Sequence, residues 1–430
     1  MKDLEKLSSM LAEIDDLLSN CMKCGMCQAV CPVFTETQKE SDVTRGKIYM
    51  LEGLAKNMIA DAKGVKQRLE KCLLCGTCSA NCPSGVSAVE IFMLARSILT
   101  EFIGLSATKK AIFRGMLSHP KLFDAILGLS KRFQGVFIKP ANPEMGTYCS
   151  AALSSFIGER HFVPLAKQSF YAKQKKSELT SANSEHKVLF FPGCVVDKVY
   201  PNIAESAVAV LERNNASVSI PEIQACCGIP ALASGDTRTF EALLNQNLKM
   251  FRNSEADYLL TPCATCTSTI KKVWPMMAKD LNLKCREEVD QIAEKTKDIS
   301  EFMVDVLRAT PPALSNGKGS RVTYHDPCHL GKSLNVYQQP RELLKSIANM
   351  ELVEMQEADV CCGNGGSFNL QHYETSTAIG NRKCQNIKAT GADVVATSCP
   401  ACIMQLTDVL SQDKQAIPVK HVIELWNQAS

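Results

Sequence analysis

Cys21-Met22-Lys23-Cys24-Gly25-Met26-Cys27, followed by Cys31-Pro32, recurs as Cys72-Leu73-Leu74-Cys75-Gly76-Thr77-Cys78, followed by Cys82-Pro83. Both copies read C-x2-C-x2-C-x3-C-P. Four thiols in so short a run suit a pair of cubane clusters, in which three cysteines of one run hold one cluster and the fourth crosses to the other. This logic places Cys21, Cys24, Cys27 and Cys82 on one 4Fe-4S cluster, and Cys72, Cys75, Cys78 and Cys31 on a second. Gly25 and Gly76 let the backbone bend closely around sulfide, and Pro32 and Pro83 end the loops. Zinc is the competing reading, because C-x2-C is also a zinc signature. A zinc site needs four ligands and gives no reason for an evenly spaced third cysteine in each run.

The double run resembles that of bacterial two-cluster ferredoxins. Around it the chain is ordinary: 430 residues, 45% hydrophobic and 22% charged, enough for two or three domains with cores of their own. Its 21 cysteines would suggest disulfides in a secreted protein, but Met1-Lys2-Asp3-Leu4-Glu5-Lys6 lacks the apolar stretch of a signal peptide. A cytoplasmic setting is expected, where clustered cysteines favour metal. No run of 18 apolar residues exists, so no transmembrane segment is expected.

Net charge is +3, unevenly spread: residues 101–176 hold twelve Lys and Arg against four Asp and Glu. Such a segment suits an acidic partner, an anionic membrane surface or simply a solvated helical face. Nucleic acid is not an expected partner, since few aromatics accompany the charges.

Leu4, Leu7, Leu11, Ile14, Leu17 and Leu18 predict an amphipathic helix leading into the first run. Ile48, Leu51, Leu54 and Met58 predict one helix from Arg45 to about Lys71, and another begins near Ser87. Residues 101–140 look helical and 140–186 irregular. From Lys187 strands alternate with helices, as in a parallel sheet with crossovers: Val188 to Phe191, a helix from Ile203 to Asn214, then Ser217 to Ile220. The order repeats from Val322-Thr323-Tyr324 through Glu342 to Ala348 and on to Leu352-Val353-Glu354. The expected fold is α+β and multidomain: a helical ferredoxin-type domain (1–100), a basic helical and irregular linker (101–186), and two duplicated α/β domains (187–310 and 311–430).

Cysteines mark the duplication. Cys194, Cys226-Cys227-Gly228, Cys263 and Cys266 match Cys328, Cys361-Cys362-Gly363, Cys399 and Cys402 at offsets of 134, 135, 135, 136 and 136 residues. Cys194 and Cys263 follow predicted strands, and ligands of parallel α/β sheets gather at strand carboxyl ends. Five thiols are one more than a cubane's four irons need. Either an unusual cluster uses all five, or one stays free and reactive. Tetrahedral zinc would leave a fifth cysteine surplus.

With the N-terminal module, this Cys-x(n)-Cys-Cys-Gly-x(m)-Cys-x2-Cys pattern resembles the heterodisulfide reductase D-subunit family and its relatives, the iron-sulfur subunits of glycolate oxidase, lactate dehydrogenase and anaerobic glycerol-3-phosphate dehydrogenase. The resemblance covers nearly the whole chain. It implies a non-cubane 4Fe-4S cluster on Cys194, Cys226, Cys227, Cys263 and Cys266, and another on Cys328, Cys361, Cys362, Cys399 and Cys402. Many bacterial relatives lack one or more of these cysteines, and this chain has all ten.

His325 and His329 flank Cys328 and are candidates for moving a proton near a cluster, although capping or packing is the expectation. Cys149, Cys285 and Cys384 fall outside every motif, and Gly363-Asn364-Gly365-Gly366 lacks a phosphate-loop pattern and reads as close packing beside the cluster. No dinucleotide fingerprint, P-loop or hydrolase elbow occurs, so flavin and nicotinamide are expected elsewhere. By the resemblance, the chain is expected to relay electrons from an FAD-containing dehydrogenase of lactate or glycolate to a quinone, cytochrome or other carrier. The acceptor would be membrane-associated, with the chain peripheral on the inner membrane face through a partner. The alternative makes the chain itself a disulfide reductase, with Cys226, Cys227, Cys361, Cys362, His325 and His329 as catalytic candidates. A zinc-bound scaffold ranks last.

Overall fold

The computed structural model describes residues 2–150, 159–173, 184–221, 224–252, 254–310, 319–413 and 416–429. They form two compact units. The first comprises Met1–Ser118, Gly228–Leu243 and Gly363–Ile379; the second comprises His119–Cys227, Leu244–Cys362 and Gly380–Ser430. Both returns of the chain to the first unit fall directly after a Cys-Cys pair. No helix among the described residues is long and apolar enough to cross a membrane.

The first unit is helical. Leu7, Leu11, Ile14 and Leu18 are buried as the heptad-like spacing requires, and they share the unit with buried Ile48, Leu51 and Leu54. The helix expected from Arg45 to Lys71 is two helices, Thr44–Ala55 and Ala62–Glu70. Asp61 starts the second by accepting the Gly64 N–H at 2.8 Å, a cap that competes with continuing the first helix. Met58 lies in the break and is 68% exposed, so it belongs to no apolar face. The helix after Pro83 runs Ala88–Ile103.

The second unit holds the duplication. The first copy contributes β3 (His186–Phe190), β4 (Ala216–Ser219), β5 (Tyr258–Thr261) and β6 (Thr296–Asp298) to a parallel sheet of order β4-β3-β5-β6. The second contributes β7 (Ser320–Tyr324), β8 (Met350–Leu352), β9 (Val394–Thr397) and β10 (Val419–His421), ordered β8-β7-β9-β10. The registers repeat too: Val188 pairs with Val218 and Tyr258, and Val322 with Leu352 and Val394. Helices cover the sheets, so the strands read as short apolar runs. One hydrophobic core serves both copies, joining Phe190, Val210 and Phe302 to Val322, Tyr324 and Trp426. Ahead of these sheets, the stretch expected to be irregular holds an antiparallel hairpin, β1 (Ile138–Asn142) and β2 (Thr147–Ser150). Its Pro140, a residue read as a breaker, sits in the hairpin's first strand beside a register shift.

The basic segment is partly paired internally. Lys109 meets Glu70 at 2.9 Å and Arg114 meets Asp236 at 2.9 Å within the first unit, and Lys173 meets Glu205 at 2.6 Å in the second. Residues 151–158 and the Gln174-Lys175-Lys176 run lie outside the described residues.

The end of β6 carries a titratable strain. Asp298 is fully buried, its Oδ1 accepts the Ser300 N–H at 2.8 Å, and its Oδ2 has no partner. Burial pushes its carboxyl up to about 7. A raised acid favours folding while protonated, so its contribution is full below 3.8 and is lost as pH rises through about 7. Asp298→Asn keeps the cap without the charge. Its unfolding free energy, from urea titrations, should exceed that of the wild type increasingly from about pH 4 to pH 7, by at most about 4 kcal/mol, and level off above that. A constant gap across that range would refute the assignment.

Candidate metal centres

In the first unit the two cysteine runs fold alike. Lys23 and Leu74 each precede the second cysteine of a run with left-handed φ of 58° and 54°, and Gly25 and Gly76 follow it at 91° and 74°. Alternating backbone handedness turns successive N–H groups toward one side, a concavity suited to an anionic cluster. A side chain at Gly25 would also strike Arg45 Nη1 at 2.6 Å.

Two cavities result. One is lined by Cys72, Cys75, Cys78 and Cys31. The other is lined by Cys21, Cys24, Cys27 and Cys82, with Cys78 on its edge. The fourth cysteine of each run thus faces the cavity of the other. Apolar walls at Leu73, Leu74, Val89 and Phe92 close the first cavity. Burial pushes the Cys31 thiol up to about 11 and Cys78 up to about 12. Thiols so placed stay protonated at neutral pH unless a cation replaces the proton, which is what iron does. The donor set, the enclosure and the paired cavities fit two 4Fe-4S groups.

Two buried cations that motif reading missed support this module. Arg96 is 3% exposed and donates to the carbonyls of Leu69, Cys72 and Ala233 at 2.5, 2.9 and 2.7 Å, fixing the start of the second cysteine loop. Lys47 is 0% exposed, lines the Cys31 cavity and donates to the Asp42 carbonyl. Both sit at helical positions where a long cation reads as surface. Close packing holds in the Gly363-Asn364-Gly365-Gly366 run at Gly365, where a Cβ would lie 2.7 Å from the Leu73 side chain, and at Gly363, where it would lie 2.7 Å from Ser376 O, but not at Gly366, which has open space around it and a left-handed φ of 59°.

In the second unit the carboxyl ends of β3, β5, β7 and β9 lead to Cys194, Cys263, Cys328 and Cys399, each at or just before a helix start. Cys194 Sγ lies 4.0 Å from Cys226 Sγ, and Cys227 Sγ lies 3.7 Å from Cys266 Sγ. The adjacent cysteines therefore face different neighbours. Their backbone is pinned by Asn247 Nδ2 to the Cys226 carbonyl at 3.0 Å and Trp274 Nε1 to the Cys227 carbonyl at 2.9 Å. At Gly193 a Cβ would stand 3.0 Å from Cys266 Sγ. The Cys263 thiol also reaches Cys399 of the second copy, which in turn contacts Cys402, and Cys402 contacts Cys362. Neighbouring thiols, then burial, push Cys226 and Cys402 well above an ordinary thiol. Cys361 and Cys362 are buried and Cys328 half-buried; Lys383 Nζ, on the Glu357 and Ala358 carbonyls, is electrostatically close to the first two. Crowded buried sulfur, none of it in a disulfide, fits a metal group here as well.

His329 Nδ1 pairs with Thr265 Oγ1 of the first copy at 3.0 Å. Of the expected capping or packing, His325 follows the second. It caps nothing, and its ring is fully buried with neither nitrogen hydrogen-bonded. Cys149 lies in β2, Cys285 precedes a helix, and buried Cys384 donates to Asp413 at 3.6 Å; none joins these sets.

Residues 17–86 match the family model of the 4Fe-4S dicluster domain, and residues 188–271 and 322–407 match that of the cysteine-rich CCG domain. The chain is 29% identical over 403 residues to a probable glycolate oxidase iron-sulfur subunit of Bacillus subtilis, covering 90% of this chain and 88% of that one. It is 28% identical over 425 residues to a fumarate reductase (CoM/CoB) subunit of Methanothermobacter marburgensis, covering 96% and 72%. To lactate utilization protein A of Bacillus pumilus it is 33% identical over 242 residues, covering 56% and 99%.

Cys31→Ser should bleach the cluster signal that Cys72→Ser also bleaches and spare the one lost in Cys21→Ser, as read by EPR of the reduced protein. Loss of the Cys21 signal instead would overturn the crossed pairing.

Proposed function

We propose, from the premise that this chain belongs to the heterodisulfide reductase D-subunit and glycolate oxidase iron-sulfur subunit family, that it is the electron-relaying subunit of a 2-hydroxyacid dehydrogenase complex acting on lactate or glycolate. In this reading an FAD-containing partner removes the hydride, and a quinone, cytochrome or other membrane-associated carrier receives the electrons. The observation that carries it is the crossed lining of the two first-unit cavities, which share Cys78 at their edge. Sites that close together suit one-electron passage. The relatives named for glycolate oxidase and lactate utilization support the substrate class.

Four groups, when bound, would supply one-electron acceptance and donation: two cubane 4Fe-4S clusters in the first unit, and non-cubane ones on the two five-cysteine sets. The chain's own part is positional. The helical crossovers of each parallel sheet bring distant cysteines to one end, Arg96 holds the Cys72 loop, and Leu73, Leu74 and Phe92 keep water from the Cys31 site. Lys47 places positive charge beside that site, which favours the more negative, reduced state. The domain limits read from sequence, 1–100, 101–186, 187–310 and 311–430, are retained as functional segments in this proposal.

A second reading has a specific observation behind it. The Cys263 to Cys399 contact joins the two five-cysteine sets, so a disulfide substrate could meet both, and a relative named for CoM/CoB supports thiol chemistry.

Lactate or glycolate should bleach the visible iron-sulfur absorption of the anaerobic chain only when an FAD-containing hydroxyacid dehydrogenase is present. Reduction of a disulfide by the pre-reduced chain alone, with no response to the flavoprotein, would replace the relay with the second reading.

A further inference from the structure

His325 marks the sharpest chemical difference between the two copies. Its backbone is fixed on both sides: its N–H donates to Ala396 O at 2.9 Å, and the N–H of Asp326 donates to Ala358 O at 3.1 Å. The Asp326 carboxylate takes two bonds of 2.7 Å from Arg341, whose guanidinium also lies 5.0 Å over the Tyr324 ring. The imidazole is thus held at its root while its own nitrogens, fully buried, have no hydrogen-bond partner. An unpaired buried polar group is destabilising, so something absent from the protein atoms should satisfy it. A ring nitrogen, Cys362 Sγ and Cys402 Sγ all lie within 4.8 Å of one another, the spacing of ligands around one metal ion. In the first copy, the offset of 134 residues that relates Cys328 to Cys194 leads from His325 to Phe191. That ring is also fully buried, and it packs on Phe251 at 6.2 Å. Hydrocarbon stands where the second copy has a nitrogen.

We propose that His325 is a nitrogen donor to the metal centre of the second five-cysteine set, so that the two copies hold chemically different centres. The inference rests on the reading that both copies hold iron-sulfur clusters. Neutral imidazole joins the five thiolates without adding negative charge, so the two centres differ in donor set. Lys383 makes the second the better electron acceptor: it brings a cation close to Cys361 and Cys362, where the matching position of the first copy is the neutral Asn247.

The test is pulsed EPR on the full chain, purified anaerobically, poised where a cluster of the second unit is paramagnetic, and labelled with 15N at histidine. A nitrogen coupling that changes with the isotope in the wild type, and is lost in both His325→Phe and His325→Gln with the other cluster signals kept, is the expected result. No isotope-sensitive coupling in a wild type carrying about sixteen irons, or a coupling that survives in either variant, overturns the proposal while leaving the clusters in place. About eight irons per chain would instead overturn the cluster reading on which it stands.

Discussion

Crowded, buried sulfur is the constraint on which the rest of the structure depends. A thiol taken from water into an apolar wall holds its proton, as Cys31 and Cys78 do; in the crowded second set neighbouring thiols raise Cys226 and Cys402 and hold Cys399 low, as thiol donors to its sulfur favour the thiolate. Such a site is unfavourable as protein alone. It becomes favourable when a cation takes the place of several protons at once, so metal binding and folding are one process. The helices of the first unit and the sheets of the second are two ways of meeting that constraint, one by close spacing in sequence and one by convergence in space.

Convergence follows from topology. In each copy the central strands, β3 and β5 or β7 and β9, run parallel and end on the same side, so cysteines about seventy residues apart arrive together without a local motif. The Cys-Cys pair completes each set from the loop after β4 or β8, its carbonyls tied down in the first copy by Asn247 and Trp274. Duplication then does more than double the site. Because both copies share one core and Cys263 reaches Cys399, the two sets meet within the second unit.

Much of this was legible in the sequence because cysteine spacing is a local, discrete signal. The two runs, the offsets of the second pattern and the repeated alternation of strand and helix follow from it and from hydrophobic periodicity; the order of strands within each sheet needed the fold. What was not legible depended on tertiary partners. The break at Asp61 is a cap competing with a helix, and Pro140 reads as a breaker until its strand finds a partner in β2. Lys47 and Arg96 look like surface cations until their carbonyl partners are known. His325 reads as a capping or packing residue from its place before Cys328, and only the folded sheet shows its nitrogens enclosed among sulfurs.

Iron, zinc and acid-labile sulfide per chain, measured on the full-length protein purified without oxygen, test the central claim most directly. The account predicts about sixteen irons, a matching amount of sulfide and no zinc. About eight irons accompanied by zinc would show that the paired sheets gather their cysteines around a different metal, and would contradict it.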